Sequence, residues 1–162
     1  MELIQITTQD LAQKASDFLS TYNAFEDSKD WNEEEVRHLV ETPFKALGNL
    51  DYYGWIMLEN EKVIGYIALR RHEFADGGYY SDWFAVHKDY RGKGIGSNML
   101  SEVEKFAKSI NARYILIETG DIDFYIRTRN FYEKNGFKQV GHIPEYYYKN
   151  WGMYIYQKML IV

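Results

Sequence analysis

The spacing of apolar residues predicts both strands and helices along the chain. Runs rich in aliphatic and aromatic residues are typical of strands, whereas apolar residues that recur every three or four positions are typical of one helix face. Segments with the strand pattern lie at about 2–6, 52–58, 63–69, 79–86, 114–118, 137–143 and 153–159. Segments with the helix pattern lie at about 11–22, 32–42, 95–110 and 126–135.

Residues with local capping chemistry mark several helix ends. Thr7 or Thr8 can cap the first helix with a side-chain oxygen. Asn32 followed by Glu35 has the pattern of a capping box at the start of the second helix. We expect Pro43 to end or bend that helix, because the residue before a proline disfavours helical geometry.

A strand, a helix and another strand follow one another between residues 79 and 118. Two neighbouring strands joined by a helix lie parallel, with a right-handed crossover. Other strands are joined by short turns, such as the one at Asn60–Glu61, and should pair antiparallel. The sequence therefore predicts an α/β (α+β) fold: a mixed, mostly antiparallel sheet with one parallel pair, in a single domain over residues 1–162.

Three glycines occupy five positions at the start of the longest predicted helix, in Arg91-Gly92-Lys93-Gly94-Ile95-Gly96. Glycine allows backbone angles that other residues avoid, and it lets a ligand approach without meeting a Cβ atom. The first N–H groups of a helix have no partner within it and lie at the positive end of its dipole. With Arg91 and Lys93 adding mobile positive charge, the turn from Arg91 to Ser97 is a candidate cradle for a diphosphate.

Two better-known nucleotide motifs do not fit this turn. A P-loop needs Ser or Thr after its Lys, but Gly94 follows Lys93. The dinucleotide fingerprint needs a third glycine at the position of Ser97. The remaining alternative to a phosphate cradle is a tight strand-to-helix turn with no ligand.

Composition restricts the classes of partner and chemistry. The 162 residues carry a net charge of −5, with a pI near 5.4, which disfavours broad nucleic-acid binding. The absence of cysteine excludes disulfides, thiol nucleophiles and thiolate metal ligands, and it is compatible with a reducing cytoplasm. The first residues lack the pattern of a secretory signal, and no apolar run is long enough for a membrane span. We therefore expect a cytoplasmic protein without a metal.

Two ordered motifs resemble the GNAT superfamily of N-acetyltransferases. Arg91-x-x-Gly94-x-Gly96 is similar to the family's acyl-coenzyme A signature, R/Q-x-x-G-x-G/A. Further on, Phe131-Tyr132-Glu133-Lys134-Asn135-Gly136-Phe137 is similar to its second hallmark, F-Y-x-x-x-G-F. The resemblance extends from about Tyr52 to the C-terminus. It implies a GNAT-like sheet whose parallel strands splay apart, with helices on both faces.

The resemblance also implies acetyl-coenzyme A (acetyl-CoA) as cosubstrate, with its pantetheine arm between the splayed strands. Backbone groups of Phe84 and Val86 would pair with the arm like an added strand, while Arg91–Ser97 would hold the diphosphate. Where the family often has an Asn that contacts the arm, this chain has Tyr125. Arg129 could help to hold phosphate or could face solvent, and we expect it to face solvent.

Acyl transfer from a thioester to an amine needs a proton acceptor for the amine and a proton donor for the departing thiolate. By the resemblance, Tyr132 is the general acid; the alternative is a tyrosine that only packs in the core. Glu118 and Asp82 could both face the cleft and are candidates for the base, unless they form salt bridges or lie at solvated strand ends. We expect His87 to lie in the turn beneath the phosphates rather than in the catalytic machinery.

These observations lead to the hypothesis of an acetyl-CoA-dependent N-acetyltransferase, in which a primary amine attacks the thioester directly within a ternary complex. The alternative is a non-catalytic acyl-CoA-binding module. The expected acceptor is a small-molecule amine or an amine of a peptide or protein. We expect no nucleic-acid or membrane partner, and the sequence is compatible with a monomer or a homodimer. The rings of Tyr146–Tyr148 and Trp151 can cage a cationic amine, close over the coenzyme, or serve as rim packing.

Overall fold

The computed structural model of the protein describes residues 1–21, 23–25, 31–48 and 50–160. The strands are β1 Glu2–Gln5, β2 Tyr52–Glu59, β3 Lys62–Arg71, β4 Gly78–Val86, β5 Tyr114–Gly120, β6 Lys138–Tyr148 and β7 Trp151–Met159. The α-helices are α1 Gln9–Leu19, α2 Glu33–Glu41, α3 Ile95–Ser109 and α4 Ile126–Lys134. Short 3₁₀ helices cover Thr42–Leu47, Lys88–Tyr90 and Asp123–Tyr125. The predicted end of the first helix at Tyr22 lies outside the described residues.

The seven strands form one sheet in the order β1-β2-β3-β4-β5-β7-β6. β4 and β5 are parallel, and their ladder joins Gly78–Tyr80 to Tyr114–Leu116. Both strands continue beyond this ladder, to Val86 and to Gly120. β2 pairs antiparallel with β1 and β3, and β7 pairs antiparallel with β5 and β6. The predicted mixed, mostly antiparallel sheet with one parallel pair is confirmed.

The predicted helix ends are confirmed where their chemistry is local. Thr8 Oγ1 accepts a hydrogen bond of 3.3 Å from the N–H of Leu11 and caps α1. Asn32 Oδ1 caps α2, and Glu35 returns a carboxylate to the Asn32 N–H at 2.8 Å, which completes the capping box. α2 ends at Glu41, and the 3₁₀ helix that follows contains Pro43.

The chain divides into two compact units, the first comprising Met1–Arg71 and Ser81–Lys105. The core of this unit lies between α1 and the sheet. Its most deeply buried side chains are Ile6, Ala12, Ala15, Leu19, Leu39, Tyr52, Ile56, Tyr66 and Ala68. Burial of these apolar surfaces fixes β2, β3 and the amino-terminal helices as one body.

The second unit comprises His72–Tyr80 and Phe106–Val162. Its buried residues include Ile115, Ile117, Tyr132, Phe137, Met153 and Tyr156. Both β6 and β7 are longer than predicted. β6 continues past Pro144 to Tyr148, and β7 begins at Trp151. A register shift between Ile143 and Tyr148 accommodates the extra β6 residues, and Glu145 there has a φ of +53°. The sequence pattern ends at Ile143, since a proline normally interrupts a strand.

In the part of the chain that the structure describes, every helix is too short or too polar to cross a membrane. The cytoplasmic location stays a prediction.

Candidate active site

The turn before α3 has the backbone geometry of an anion cradle. Gly92 and Gly94 have φ values of +75° and +79°, in the left-handed region that favours glycine. The N–H of Asn98 donates to the carbonyl of Gly94 at 3.0 Å, as expected for the first turn of α3. The N–H groups of Ile95–Ser97 therefore precede the first hydrogen bond of the helix, at the positive end of its dipole.

The residues at this turn fit a phosphate-bearing ligand. A Cβ atom added at Gly92 or Gly94 would meet no other heavy atom of the described residues within 4 Å. Open space, orphan helix N–H groups and glycine backbone together provide what a phosphate group needs. A surface cavity of about 460 Å³ adjoins the turn, lined by Met1, Glu59, Lys62, Asp89, Tyr90, Lys93 and Ile95.

Arg91 and Lys93 both donate hydrogen bonds to backbone carbonyls around the turn. Arg91 Nε donates to the carbonyl of Val86 at 2.9 Å, and its NH2 group donates to the carbonyl of Ala24 at 2.9 Å. Lys93 Nζ donates to the carbonyl of Asp89 at 2.9 Å. These bonds place both positive charges beside the glycines, and the role of the two side chains in phosphate binding stays a prediction.

His87 is part of the scaffold beneath this turn. Its side chain is buried, and its Nδ1 accepts a hydrogen bond from the N–H of Asp89 at 3.3 Å. Burial and the nearby charge of Lys62 lower the pKa of His87. A neutral imidazole that caps a 3₁₀ turn agrees with the expected place of this residue in the turn.

Asp82 is held by two donors in the first unit. Tyr52 Oη donates to Asp82 Oδ2 at 3.1 Å, and Arg70 Nε donates to Asp82 Oδ1 at 3.5 Å. Burial, followed by the neighbouring Tyr66 and Asp82, raises the pKa of Tyr52, so its phenol keeps the proton that it donates. The salt-bridge alternative for Asp82 is therefore present, and its side chain is still 20% exposed.

Tyr132 lies on α4 in the second unit, in a buried aromatic environment. Its ring centroid is 5.9 Å from that of Phe137 and 6.2 Å from that of Tyr156. Burial raises the pKa of Tyr132 above its ordinary value. The phenol is therefore protonated at neutral pH, which both a general acid and a core tyrosine require.

Glu118 lies on β5 opposite Ile155 of β7, with an exposed side chain. Tyr147 lies within electrostatic range of Glu118, and its pKa rises to about 12 because of burial and, to a lesser extent, the charge of Glu118.

Tyr125 precedes α4 and lies against the end of β5. Its ring centroid is 6.0 Å from that of Trp151. A side chain at Gly120 would come within 2.6 Å of both Tyr125 and Trp151, so glycine is needed for this packing. Arg129 donates to the carbonyls of Gly120 and Ile122 at 2.9 and 2.8 Å, and the expectation that it faces solvent is wrong.

The predicted site residues fall into two sets. Asp82, Phe84, Val86 and Arg91–Ser97 belong to the first unit. Glu118, Tyr125 and Tyr132 belong to the second unit. The first set combines the end of β4 with the start of α3, and the second combines the end of β5 with α4 and the residue before it. The roles of these residues in binding and catalysis stay predictions.

Sequence reasoning missed the partners of Asp82. Tyr52 and Arg70 are cross-strand neighbours in the predicted β2–β3 hairpin, so their proximity to each other could be predicted from the sequence. Their contact with Asp82 depends on the position of β4 beside that hairpin, and a single sequence carries no readable pattern for it.

The protein thus has a mixed sheet with one parallel strand pair, and a glycine-rich turn opens the helix between those two strands. The family model for the acetyltransferase (GNAT) family matches residues 16–137. The chain belongs to this family, and it is an acyltransferase. A comparison with curated proteins finds no match.

Several solved structures share the fold over nearly the whole chain. A protein assigned to the GNAT family from Desulfovibrio desulfuricans has a TM-score of 0.84 at 22% identity, with 99% of each chain covered. The aminoglycoside 6'-N-acetyltransferase from Enterococcus faecium has a TM-score of 0.78 at 19% identity, covering 100% of this chain and 98% of that one. An aminoglycoside 6'-N-acetyltransferase complexed with coenzyme A has a TM-score of 0.77 at 18% identity, with the same coverage. These likenesses establish the fold.

The described residues contain no group of three or more His, Asp or Glu side chains placed to hold a metal ion.

Proposed function

We propose that this protein is a single-domain N-acetyltransferase, spanning residues 1–162, that transfers the acetyl group of acetyl-CoA to a primary amine. The open glycine turn at the start of α3 carries the proposal, because it provides a site for the diphosphate of the coenzyme. Similar structures that hold coenzyme A support the choice of cosubstrate. The amine attacks the thioester directly within a ternary complex, since the chain has no cysteine to carry a thioester intermediate.

The chain offers hydrogen-bond donors and backbone groups along the length of the coenzyme. The N–H groups of Ile95–Ser97 would bind the diphosphate, and Arg91 and Lys93 would add positive charge beside it. Backbone groups of Phe84 and Val86 would pair with the pantetheine arm, and Tyr125 would contact it. When bound, acetyl-CoA supplies the activated acyl group.

The proton donor for the departing thiolate is Tyr132 in this proposal. Its pKa is raised by burial, so the phenol holds its proton at neutral pH and can donate it when negative charge develops on sulfur. A backbone N–H near Ala85 and Val86 would stabilise the oxyanion.

Asp82 and Glu118 are the two carboxylates proposed to receive the proton of the amine. Tyr52 and Arg70 fix both oxygens of Asp82, which makes this carboxylate the more strongly oriented of the two. Glu118 is the more exposed. A carboxylate in either position also attracts the ammonium form of the acceptor.

An acceptor screen tests the proposed function directly. Purified protein and acetyl-CoA are incubated with a panel of primary amines, and the coenzyme A released is measured with a thiol-reactive dye. The protein has no cysteine and adds no background. We expect amine-dependent release of one thiol for each amide formed. Saturable acetyl-CoA binding without thiol release from a broad panel would contradict transfer and support the binding-module alternative.

A further inference from the structure

Six aromatic side chains of the second unit form a continuous cluster of exposed and half-buried rings, here called the aromatic surface. Its members are Phe124, Tyr125, Tyr146, Tyr147, Tyr148 and Trp151. Trp151 lies at its centre, with ring centroids 6.0 Å from Tyr125, 5.9 Å from Tyr147 and 5.3 Å from Tyr148. Tyr147 extends the contact to Tyr146 at 5.0 Å. The rings therefore form one surface rather than scattered exposed residues.

The backbone beneath these rings is held in an irregular conformation by specific bonds. The β6–β7 register shifts between Ile143 and Tyr148, and Glu145 and Asn150 have φ values of +53° and +62°. The N–H of Asn150 donates to Glu145 Oε1 at 3.1 Å. On the opposite strand, the N–H of Gly152 donates to Asp121 Oδ1 at 2.7 Å. Non-glycine residues in the left-handed region cost free energy, so the surrounding bonds must stabilise this shape.

Four rings of the aromatic surface are exposed to solvent. Phe124, Tyr146 and Tyr148 are each more than half exposed, and Tyr147 is 40% exposed. Contiguous exposed aromatic area on a soluble protein indicates a place where a ligand or partner binds. The hydroxyl groups and π faces of tyrosine suit a ligand that is partly polar.

Charges around the aromatic surface favour a cation. The exposed carboxylates of Glu118, Asp123 and Glu145 lie on the strand end and turns that carry the rings. Two cations are also near in the chain. Lys149 lies in the turn between β6 and β7, and Arg129 donates to the carbonyls of Gly120 and Ile122. Glu118 is close enough to Tyr147 to influence its ionisation. Negative charge beside aromatic faces is the arrangement that binds alkylammonium groups.

We propose that the aromatic surface binds a second ammonium group of the acceptor, so that the preferred substrates are di- or polyamines rather than monoamines. This inference rests on the proposed function and specifies its substrate class. The aromatic surface includes Tyr125, which is proposed to contact the coenzyme, and Tyr147 lies within electrostatic range of Glu118, a proposed proton acceptor for the amine. One ammonium rests on the rings while the other end of the molecule is acetylated as a neutral amine.

Cadaverine and pentylamine form a matched pair of probes, because both have five carbons and they differ in the second ammonium. Calorimetry measures the binding of each amine, and the thiol-release assay measures kcat/KM for each. We expect the wild-type protein to prefer cadaverine by about tenfold in both measurements, a size consistent with one or two partly desolvated cation–π contacts. Trp151→Leu and Tyr147→Leu should reduce this preference to about twofold or less.

Conservative and remote variants separate a binding role from loss of structure. Tyr147→Phe keeps the aromatic face and should keep the preference, and Tyr53→Leu removes a partly exposed ring of the first unit and should also keep it. Thermal unfolding shows whether each variant is folded. Equal binding of the two amines by the wild-type protein, or full preference in folded Tyr147→Leu, would overturn the inference. Preferential binding of cadaverine without acetyl transfer would support the ammonium site on the aromatic surface while refuting the proposed enzyme activity.

Discussion

Among single residues, Tyr132 has the most direct proposed role in the chemistry. Replacement of Tyr132 by Phe removes the phenolic proton and keeps the ring that packs on Phe137 and Tyr156. We expect kcat to fall by about 10²–10⁴-fold, the usual contribution of a general acid, with little change in the dissociation constant of acetyl-CoA. Steady-state kinetics and calorimetry on the same preparation make the comparison. Unchanged kcat in the folded variant would assign Tyr132 to core packing alone.

Tyr52 is a positioning residue for Asp82. Tyr52→Phe removes the hydrogen bond of 3.1 Å to Asp82 Oδ2 and leaves that carboxylate with the longer contact from Arg70. If Asp82 receives the proton of the amine, kcat should fall about tenfold while the KM for acetyl-CoA stays the same.

A double-mutant cycle with Asp82→Asn distinguishes positioning from general damage to the fold. Tyr52→Phe should have little further effect on kcat once the carboxylate is gone. Tyr53→Phe, at the neighbouring position on β2, is the matched control and should be neutral. Equal effects of Tyr52→Phe with and without the carboxylate would reject the role and favour Glu118 as the proton acceptor.

At the scale of elements, the junction of β4 and α3 determines coenzyme binding. Gly94→Val forces a β-branched residue into a φ of +79° and places methyl groups in the open space of the cradle. We expect acetyl-CoA binding to weaken by at least about tenfold, as measured by calorimetry. Gly48→Ala is a suitable control, because Gly48 has a φ of −151° and a Cβ there would meet no heavy atom of the described chain within 4 Å. An unaltered dissociation constant in Gly94→Val would place the diphosphate elsewhere.

Elements whose signals are local could be predicted from the sequence. The caps at Thr8 and Asn32, the turn at Asn60–Glu61 with its positive φ angles, and the glycine turn before α3 each depend on residues close together in the chain. The strand–helix–strand order likewise predicts the parallel pair of β4 and β5. Local chemistry and periodicity are enough for these features.

Features that depend on distant residues could not be predicted. Arg91 bonds to Ala24, which is 67 positions away, and Tyr52 bonds to Asp82, 30 positions away. The irregular end of β6 depends on Gly152 and Asp121, whose bond joins residues 31 positions apart. Such contacts follow from packing of the whole fold, so the sequence identified candidate residues but not their partners.

For the molecule as a whole, a buried tyrosine makes stability sensitive to alkaline pH. Burial, followed by the contact with Glu133, raises the pKa of Tyr156 to about 12, above the ordinary value of 10.0. This group stabilises the folded state fully below pH 10.0, and the stabilisation is lost as pH rises through about 12, because the unfolded chain ionises first. Urea unfolding should therefore show a free energy of unfolding that declines above about pH 10, and Tyr156→Phe should make the decline shallower. A free energy of unfolding that stays constant across this range would contradict the burial of this phenol.

Calorimetric titration of the protein with acetyl-CoA, repeated in the presence of inorganic pyrophosphate, is the most direct measurement of the central claim. If the N–H groups that open α3 bind the diphosphate, acetyl-CoA should bind saturably with a one-to-one stoichiometry, and pyrophosphate should weaken that binding by competition. No heat of binding with acetyl-CoA, or binding that pyrophosphate leaves unchanged, would contradict the account.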